Sequence, residues 1–271
     1  MPELPEVQTI ANQLSFYLPL KVLNIVKSIH ADTFIKQNDF NPSSGEIINI
    51  YRLGKSLVLE MKEGVIVSGL GMSGGWRISD KDITQKHTHF KFVVKNEKDE
   101  KLFLAYIDPR RFGRLYLFNH HNFNLYKKGL APDPTSRDFN EVYLKSTFDK
   151  YPQRQIKVFL LDQKFFPGIG NYMASEICAL AAIRPTRRTG RITKKEREAI
   201  ILATKRVIEG SVKNNGLTFS GGYFDANGEK GEGVNNLVVF HQKQCGLCKK
   251  DDIKKIVLAG RGTYYCPHCQ R

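Results

Sequence analysis

The C-terminal stretch CGLCKKDDIKKIVLAGRGTYYCPHC, residues 245–269, sets the fold of its region through its cysteine spacing. Cys245 and Cys248 form one Cys-x2-Cys pair and Cys266 and Cys269 a second, with 17 residues between them. A tight turn can present two thiolates from each pair, and the intervening length suits a β-hairpin. Four sulfurs so spaced make the tetrahedron that structural Zn2+ prefers. Iron or a redox pair is the competing use of the same thiols. One zinc ion held by all four cysteines has no open coordination position, so it would hold together a hairpin too small for its own core. The hairpin carries Lys249, Lys250, Lys254, Lys255 and Arg261. Arg261, near the tip or second strand, suits a phosphate contact. For the lysines a solvated charge run is the plain alternative.

Upstream of the hairpin, helical patterns dominate from roughly 139 to 213, in Phe139–Ser146, Gln155–Gln163, Tyr172–Ala181 and Lys194–Asn214. Thr193, with Glu196 three residues on, gives the last of these a capping-box start. A linker with Gly129, Pro132, Asp133, Pro134 and Ser136 precedes them. Before it lie short apolar runs: Val22–Ile29, Gly45–Tyr51, Leu57–Met61, Val65–Gly69, His89–Val94, Leu102–Ile107 and Arg114–Phe118. Strands spaced in this way point to a β-sandwich or barrel rather than a βαβ fold. Ile10, Leu14 and Leu18 predict a first helix over 9–18, after an opening that Pro2 and Pro5 keep from being regular helix interior. The chain thus reads as an α+β multidomain protein: an N-terminal β-sandwich or barrel over 1–130, a helical domain over 131–235 and a zinc-binding β-hairpin over 236–271.

The 271 residues carry a net charge of +15, unevenly spread: residues 1–130 hold 18 Lys and Arg against 13 Asp and Glu, and residues 131–271 hold 24 against 14. Lysines and arginines gain free energy by releasing counterions from phosphate, so a polyanionic partner is the natural reading. A merely soluble basic protein is the bland one. No apolar run is long enough for a membrane helix, and the acidic opening does not resemble a secretory signal, so a cytoplasmic protein is expected. The fifth cysteine, Cys178, sits in an apolar run and reads as a buried core thiol.

The opposite end of the chain offers a different chemistry. Removal of Met1 would expose the secondary amine of Pro2. An α-amino group reaches its neutral, nucleophilic form near pH 8, far more readily than lysine. Such an amine can attack an electrophilic sugar C1′, and the iminium so formed activates the sugar for elimination. Glu3 and Glu6 stand nearby as proton donors or acceptors. On these residues alone an unremarkable Met-Pro-Glu start is the stronger reading.

Six segments together change that balance: MPELPEV at 1–7, LGKSLVLE at 53–60, LGMSG at 70–74, DPRRFG at 108–113, LLDQKFFPGIGNYMASE at 160–176 and AGRGTYYCPHCQ at 259–270. In this order, and spread over essentially the whole chain, they closely resemble the formamidopyrimidine-DNA glycosylase and endonuclease VIII family of DNA repair enzymes. The opening heptapeptide and DPRRFG are closer to the formamidopyrimidine branch. The resemblance implies a β-sandwich for the N-terminal domain, a helix–two-turn–helix element in the helical domain, a monomer, and damaged double-stranded DNA as partner. It also implies a flipped-out lesion, since the glycosidic carbon cannot be reached inside the duplex. The activity implied is that of a glycosylase and abasic-site lyase on formamidopyrimidines and 8-oxoguanine, ending in β,δ-elimination. Pro2 resembles the family nucleophile, Glu3 the acid that opens the sugar ring, and Glu6 a supporting acid. Lys55, Asn171 and Arg261 are similar to the residues that hold phosphates beside the lesion. Met72, Arg110 and Phe112 match the intercalating set, with Arg111 beside them in the same loop, and Lys157 resembles a backbone contact.

The segment after the long helix departs from this pattern. Here the chain runs GLTFSGGYFDANGEKGEG over 216–233, with five glycines in 221–233 and without the usual arginine and aromatic spacing. Gln8 replaces a family glutamate, and His241-Gln242 stand near the place of an arginine. These differences leave two further readings: the same chemistry on oxidised pyrimidines or a broad lesion range, and a damaged-DNA-binding protein without turnover.

Overall fold

Helix α1 (Leu4–Ser15) buries Leu4, Val7, Ile10, Ala11 and Leu14, the stripe that a 3.6-residue repeat places on one face. It begins five residues earlier than the apolar spacing predicts. Pro5 lies in its first turn, where the missing N–H has no intrahelical partner to lose. The structure is a computed structural model and describes residues 2–219, 222–250 and 252–271; Met1 and the Gly221 of the glycine-rich stretch therefore lie outside the described residues.

Among the described residues nine strands follow: β1 (Leu20–Lys27), β2 (Ile35–Asn38), β3 (Gly45–Leu53), β4 (Ser56–Met61), β5 (Val65–Gly69), β6 (Gly75–Ser79), β7 (Thr88–Lys95), β8 (Lys101–Ile107) and β9 (Arg114–Phe118). Seven coincide with the apolar runs. The short β2 and β6 fall outside those runs, because four or five residues with at most two buried positions give little alternation to read. The strands form one hydrogen-bonded sheet in the order β2-β9-β5-β4-β3-β1-β7-β8-β6, antiparallel except for the β2–β9 pair. Trp76 of β6 donates its indole N–H to Ser68 Oγ of β5 at 2.9 Å. These strands are six places apart in the order, about 29 Å in a flat sheet, so the sheet curls enough to bring these two side chains together. Trp76, Phe92, Tyr106, Leu115 and Leu117 share the resulting core with α1.

Among the described residues five more α-helices follow: α2 (His120–Lys128), α3 (Glu141–Lys150), α4 (Ile156–Leu160), α5 (Asn171–Leu180) and α6 (Lys194–Lys213). The short α2, capped by Asn119, packs Phe123 against Phe118 of β9. The start of α6 is the expected capping box: Thr193 N–H donates to Glu196 Oε2 at 2.8 Å, and Glu196 N–H to Thr193 Oγ1 at 3.3 Å. Strands β10 (Lys254–Leu258) and β11 (Arg261–Tyr265) make the C-terminal hairpin.

The chain forms two compact units, Met1–Leu130 with Val212–Glu232, and Ala131–Ser211 with Gly233–Arg271. A sequential partition assigns 212–232 to the helical domain. In the structure this segment belongs to the sheet unit, because Tyr223 and Ala226 are buried in the sheet's core and hydrogen bonds tie it to α1. Among the described residues no helix is long and apolar enough to cross a membrane.

Candidate active site and DNA-contact residues

In the sheet unit the chain start is buried: Pro2 is enclosed, Glu3 is 3% exposed and Glu6 1%. Glu3 is extended, and its backbone N–H donates to Glu6 Oε2 at 2.8 Å. That N–H belongs to the Pro2–Glu3 peptide, so Glu6 fixes the peptide plane next to the Pro2 nitrogen. The other Glu6 oxygen accepts the Leu217 N–H at 2.9 Å. Burial, with the Glu6 and Asp225 carboxylates nearby, pushes the Tyr223 hydroxyl far above the ordinary tyrosine value.

Lys55 lies in the two-residue turn that joins β3 to β4. Arg52 braces this turn, donating to Gly54 O at 3.2 Å, and reaches α1 by donating to Gln8 Oε1 at 3.0 Å. The glutamine at position 8 therefore serves as an acceptor for a buried arginine.

Met72 and Phe112 are 38% and 49% exposed, unusual for such side chains, and sit on two adjoining loops. At Gly71 (φ +64°) a Cβ would lie 2.6 Å from the Phe112 carbonyl carbon, so only glycine allows the loops to touch. Asp108, fully buried, ties them further. Its Oδ1 accepts from Ser73 Oγ at 2.7 Å, and its Oδ2 from the Gly113 N–H at 2.8 Å. Ser73 Oγ in turn accepts the Arg110 N–H at 3.2 Å. Exposed Arg110 lays its guanidinium 4.8 Å from the Phe112 ring centre, and Arg111 beside it is also exposed.

The helical unit gathers a second set of the residues singled out in the sequence. Asn171 opens α5 after the Gly168–Gly170 turn. Lys157 Nζ donates to Asn171 Oδ1 at 2.6 Å, and Asn171 Nδ2 donates to Gly262 O at 3.0 Å, beside exposed Arg261. Lys157 itself is fully buried. Cys178 is a core thiol that burial pushes up to about 12, with the charge of Lys157 acting in the opposite direction.

The four paired cysteines converge, with all Sγ atoms within 4.8 Å of one another. Cys245–Cys269 and Cys248–Cys266 are 3.9 and 3.8 Å apart. A tetrahedron with Zn–S bonds of about 2.3 Å has edges of about 3.8 Å, so the cluster fits zinc. It is a structural Zn2+ site. Glu176 of α5 holds the chain leading into it, with its carboxylate accepting three backbone N–H bonds, from Val238, Val239 and Phe240, at 2.7, 2.9 and 2.8 Å.

Sequence reading passes over Asp108, Glu176, Gln13 and Asp225. A signal exists for two of them: Asp108 opens the loop that carries the arginines, and Glu176 is a lone carboxylate in an apolar helix.

A buried proline start, exposed apolar side chains on basic loops and a four-sulfur hairpin define a class of zinc-bearing protein built to meet nucleic acid. Family models narrow that class. The formamidopyrimidine-DNA glycosylase N-terminal domain matches residues 1–115, the H2TH domain of the same enzymes 130–221, and the zinc finger found in FPG and IleRS 245–271. The chain is 33% identical over 279 residues to the formamidopyrimidine-DNA glycosylase of Histophilus somni, covering all of both chains. Its fold is similar to that of a Lactococcus lactis FPG mutant in complex with Fapy-dG DNA, with a TM-score of 0.87, 28% identity and full coverage of both. It is also similar to a MutM protein in complex with carbocyclic 8-oxo-G DNA, with a TM-score of 0.85, 27% identity and full coverage of both. The chain belongs to the formamidopyrimidine-DNA glycosylase family.

Proposed function

We propose that this protein is a bifunctional DNA glycosylase and abasic-site lyase that excises oxidised purines, formamidopyrimidines and 8-oxoguanine among them, from damaged duplex DNA. The observation that carries the reading is the full-length likeness to formamidopyrimidine-DNA glycosylases in a chain that keeps the Pro2-Glu3 start.

With Met1 removed, the Pro2 nitrogen attacks C1′ of the damaged nucleotide, the glycosidic bond breaks, and the base leaves with a proton. Glu3 delivers a proton to O4′ as the sugar ring opens, leaving an iminium between Pro2 and C1′. Loss of a C2′ proton expels the 3′ phosphate, and a second elimination expels the 5′ phosphate. Water then hydrolyses the iminium and frees Pro2. Glu6 holds the Pro2–Glu3 peptide in place for the attack. Lys55, Asn171 and Arg261 hold phosphates near the lesion, supported by Arg111 and by Lys157 acting behind Asn171. Met72, Arg110 and Phe112 fill the space a flipped nucleotide leaves.

We assign the catalytic domain to 1–130 with 212–232, with a β-sandwich form for its curled sheet, the helix–two-turn–helix domain to 131–211 with 233–235 and the zinc module to 236–271. The Trp76–Ser68 bond between distant strands supports the sandwich. We take the working form to be a cytoplasmic monomer.

Borohydride trapping on an oxidised-purine duplex, followed by mass spectrometry of the adduct, tests the chemistry. The expected crosslink is at Pro2, and a chain that retains Met1, and so has no free amine at Pro2, loses it. A crosslink at a lysine, or none with the Met1-processed chain, overturns the mechanism. Faster excision from oxidised-pyrimidine duplexes overturns the substrate assignment and favours the broad-range reading.

A further inference from the structure

Two side chains on one face of α1 hold the segment that departs most from the family pattern. Glu6 accepts the Leu217 N–H. Seven residues on, Gln13 binds the same segment twice: its Nε2 donates to Asp225 Oδ2 at 2.7 Å, and its Oε1 accepts the Ala226 N–H at 2.8 Å. Positions seven apart on a helix lie nearly one above the other, so both ties leave α1 on the same side. At Gly216 (φ +82°), where the chain turns after α6, a Cβ would meet Tyr223 at 2.8 Å and Glu6 Cγ at 3.1 Å. Only glycine allows this approach.

The turn that Gln13 grips is stiff. Asp225 is fully buried, and its Oδ1 accepts N–H bonds from Asn227 at 3.0 Å and Glu229 at 2.8 Å. Thr218 Oγ1 donates to Tyr223 O at 2.7 Å and accepts from Gly231 N–H at 2.8 Å, which joins the two arms of the segment. Next to Asp225, Phe224 lies under the Arg77 guanidinium, 5.2 Å from the ring centre. Phe224 and Arg77 help line a cavity of about 160 Å³, together with Ser73, Gly75, Arg110 and Gly222. A group seated in that cavity would lie against Phe224. Phe224 adjoins Asp225, which Gln13 holds, and the same segment reaches Glu6 through Leu217; the other Glu6 oxygen holds the Pro2–Glu3 peptide.

We infer that Gln13 and Asp225 are positioning residues that couple occupancy of this cavity by a damaged base to the placement of the Pro2 amine. They act through Glu6 and α1 and touch no reacting atom. The inference rests on the proposed function, in which Pro2 is the nucleophile. A base-free substrate does not load the cavity, so the clamp governs base excision and leaves cleavage at a preformed abasic site untouched. Gln13 on α1 and Asp225 in the glycine-rich segment thereby make a lesion-sensing contact out of residues outside the phosphate-binding and intercalating sets.

The test uses the full-length, Met1-processed protein in single-turnover assays on two duplexes, one with 8-oxoguanine and one with an abasic site. Gln13→Leu removes the link but leaves the Asp225 turn its own hydrogen bonds. Gln13→Glu sets two carboxylates against each other. Both variants are expected to excise 8-oxoguanine about 10- to 100-fold more slowly, the range set by a misplacement of up to ~1 Å, with abasic cleavage within about twofold of the parent. Adding Asp225→Asn to Gln13→Glu swaps donor and acceptor while keeping every hydrogen bond, and is expected to restore excision. A merely structural role would lower both activities together with the melting temperature. That outcome, normal excision by Gln13→Glu, or no recovery in the folded double variant would each overturn the inference. Failure of the parent protein to excise 8-oxoguanine would instead indict the functional reading itself.

Discussion

Lys157 donates to Asn171 Oδ1 at 2.6 Å from a fully buried position, so any effect of this lysine on DNA passes through the asparagine. Removing a side chain that binds phosphate directly lowers the dependence of log K on log salt by about one unit. Lys157→Met is therefore expected to weaken duplex binding about tenfold with the salt slope unchanged. Arg261→Ala is expected to weaken binding and to reduce the slope by about one. Fluorescence anisotropy over a salt series separates the two behaviours. A lower slope for Lys157→Met would place its ammonium on the phosphate after all.

The zinc hairpin has few buried apolar groups of its own, and structural zinc contributes about 10–16 kcal/mol in comparable small modules. Chelation, or Cys248→Ala, is expected to unravel β10 and β11, displace Arg261 and abolish duplex binding. Re-addition of Zn2+ restores binding to the chelated protein and not to the variant. Metal analysis should find one zinc per chain, and tight duplex binding by metal-free protein would contradict this account.

Asp108 accepts from Ser73, Tyr106 and the Gly113 and Arg110 N–H groups, so its loss leaves several buried donors unpaired. Asp108→Ala is expected to cost about 2–4 kcal/mol in denaturant unfolding, given about 1–3 kcal/mol for each unpaired buried group with partial relaxation. Phe112→Ala, at a half-exposed site, is expected to cost under about 1 kcal/mol. Both variants should lose lesion excision in a duplex, yet both should still cleave single-stranded abasic DNA, where no partner strand needs wedging.

Burial raises the Glu176 carboxyl above its ordinary value, with the three backbone N–H donors opposing the shift. A carboxyl raised in the folded state binds its proton more tightly there than in the unfolded chain. Its contribution to stability is therefore fullest at low pH and declines as pH rises from the ordinary value through the folded one. Glu176→Gln removes this dependence. The expected readout is the difference in denaturation midpoint between parent and variant, changing in the parent's disfavour as pH rises above the ordinary glutamate value of about 4.3. A difference independent of pH would mean that the carboxyl titrates alike in both states.

The sequence by itself determined the parts of this protein that depend on local spacing. Two Cys-x2-Cys pairs specify a metal hairpin because turn geometry alone brings each pair together. Seven of the nine sheet strands and the cap of α6 were legible for the same reason: alternation and capping need only near neighbours. The motifs around Pro2, Lys55, Phe112 and Asn171 were legible as residues, though not as an arrangement. Tertiary structure decided what depends on contacts between distant segments. It curled the sheet until Trp76 reached Ser68, withdrew Lys157 from solvent behind Asn171, and gave residues 212–232 to the sheet unit rather than to the helices beside them in sequence. A polar side chain such as Gln13 looks the same in sequence whether it faces water or grips a buried aspartate. Its partner lies 212 positions away, and no local pattern carries that information.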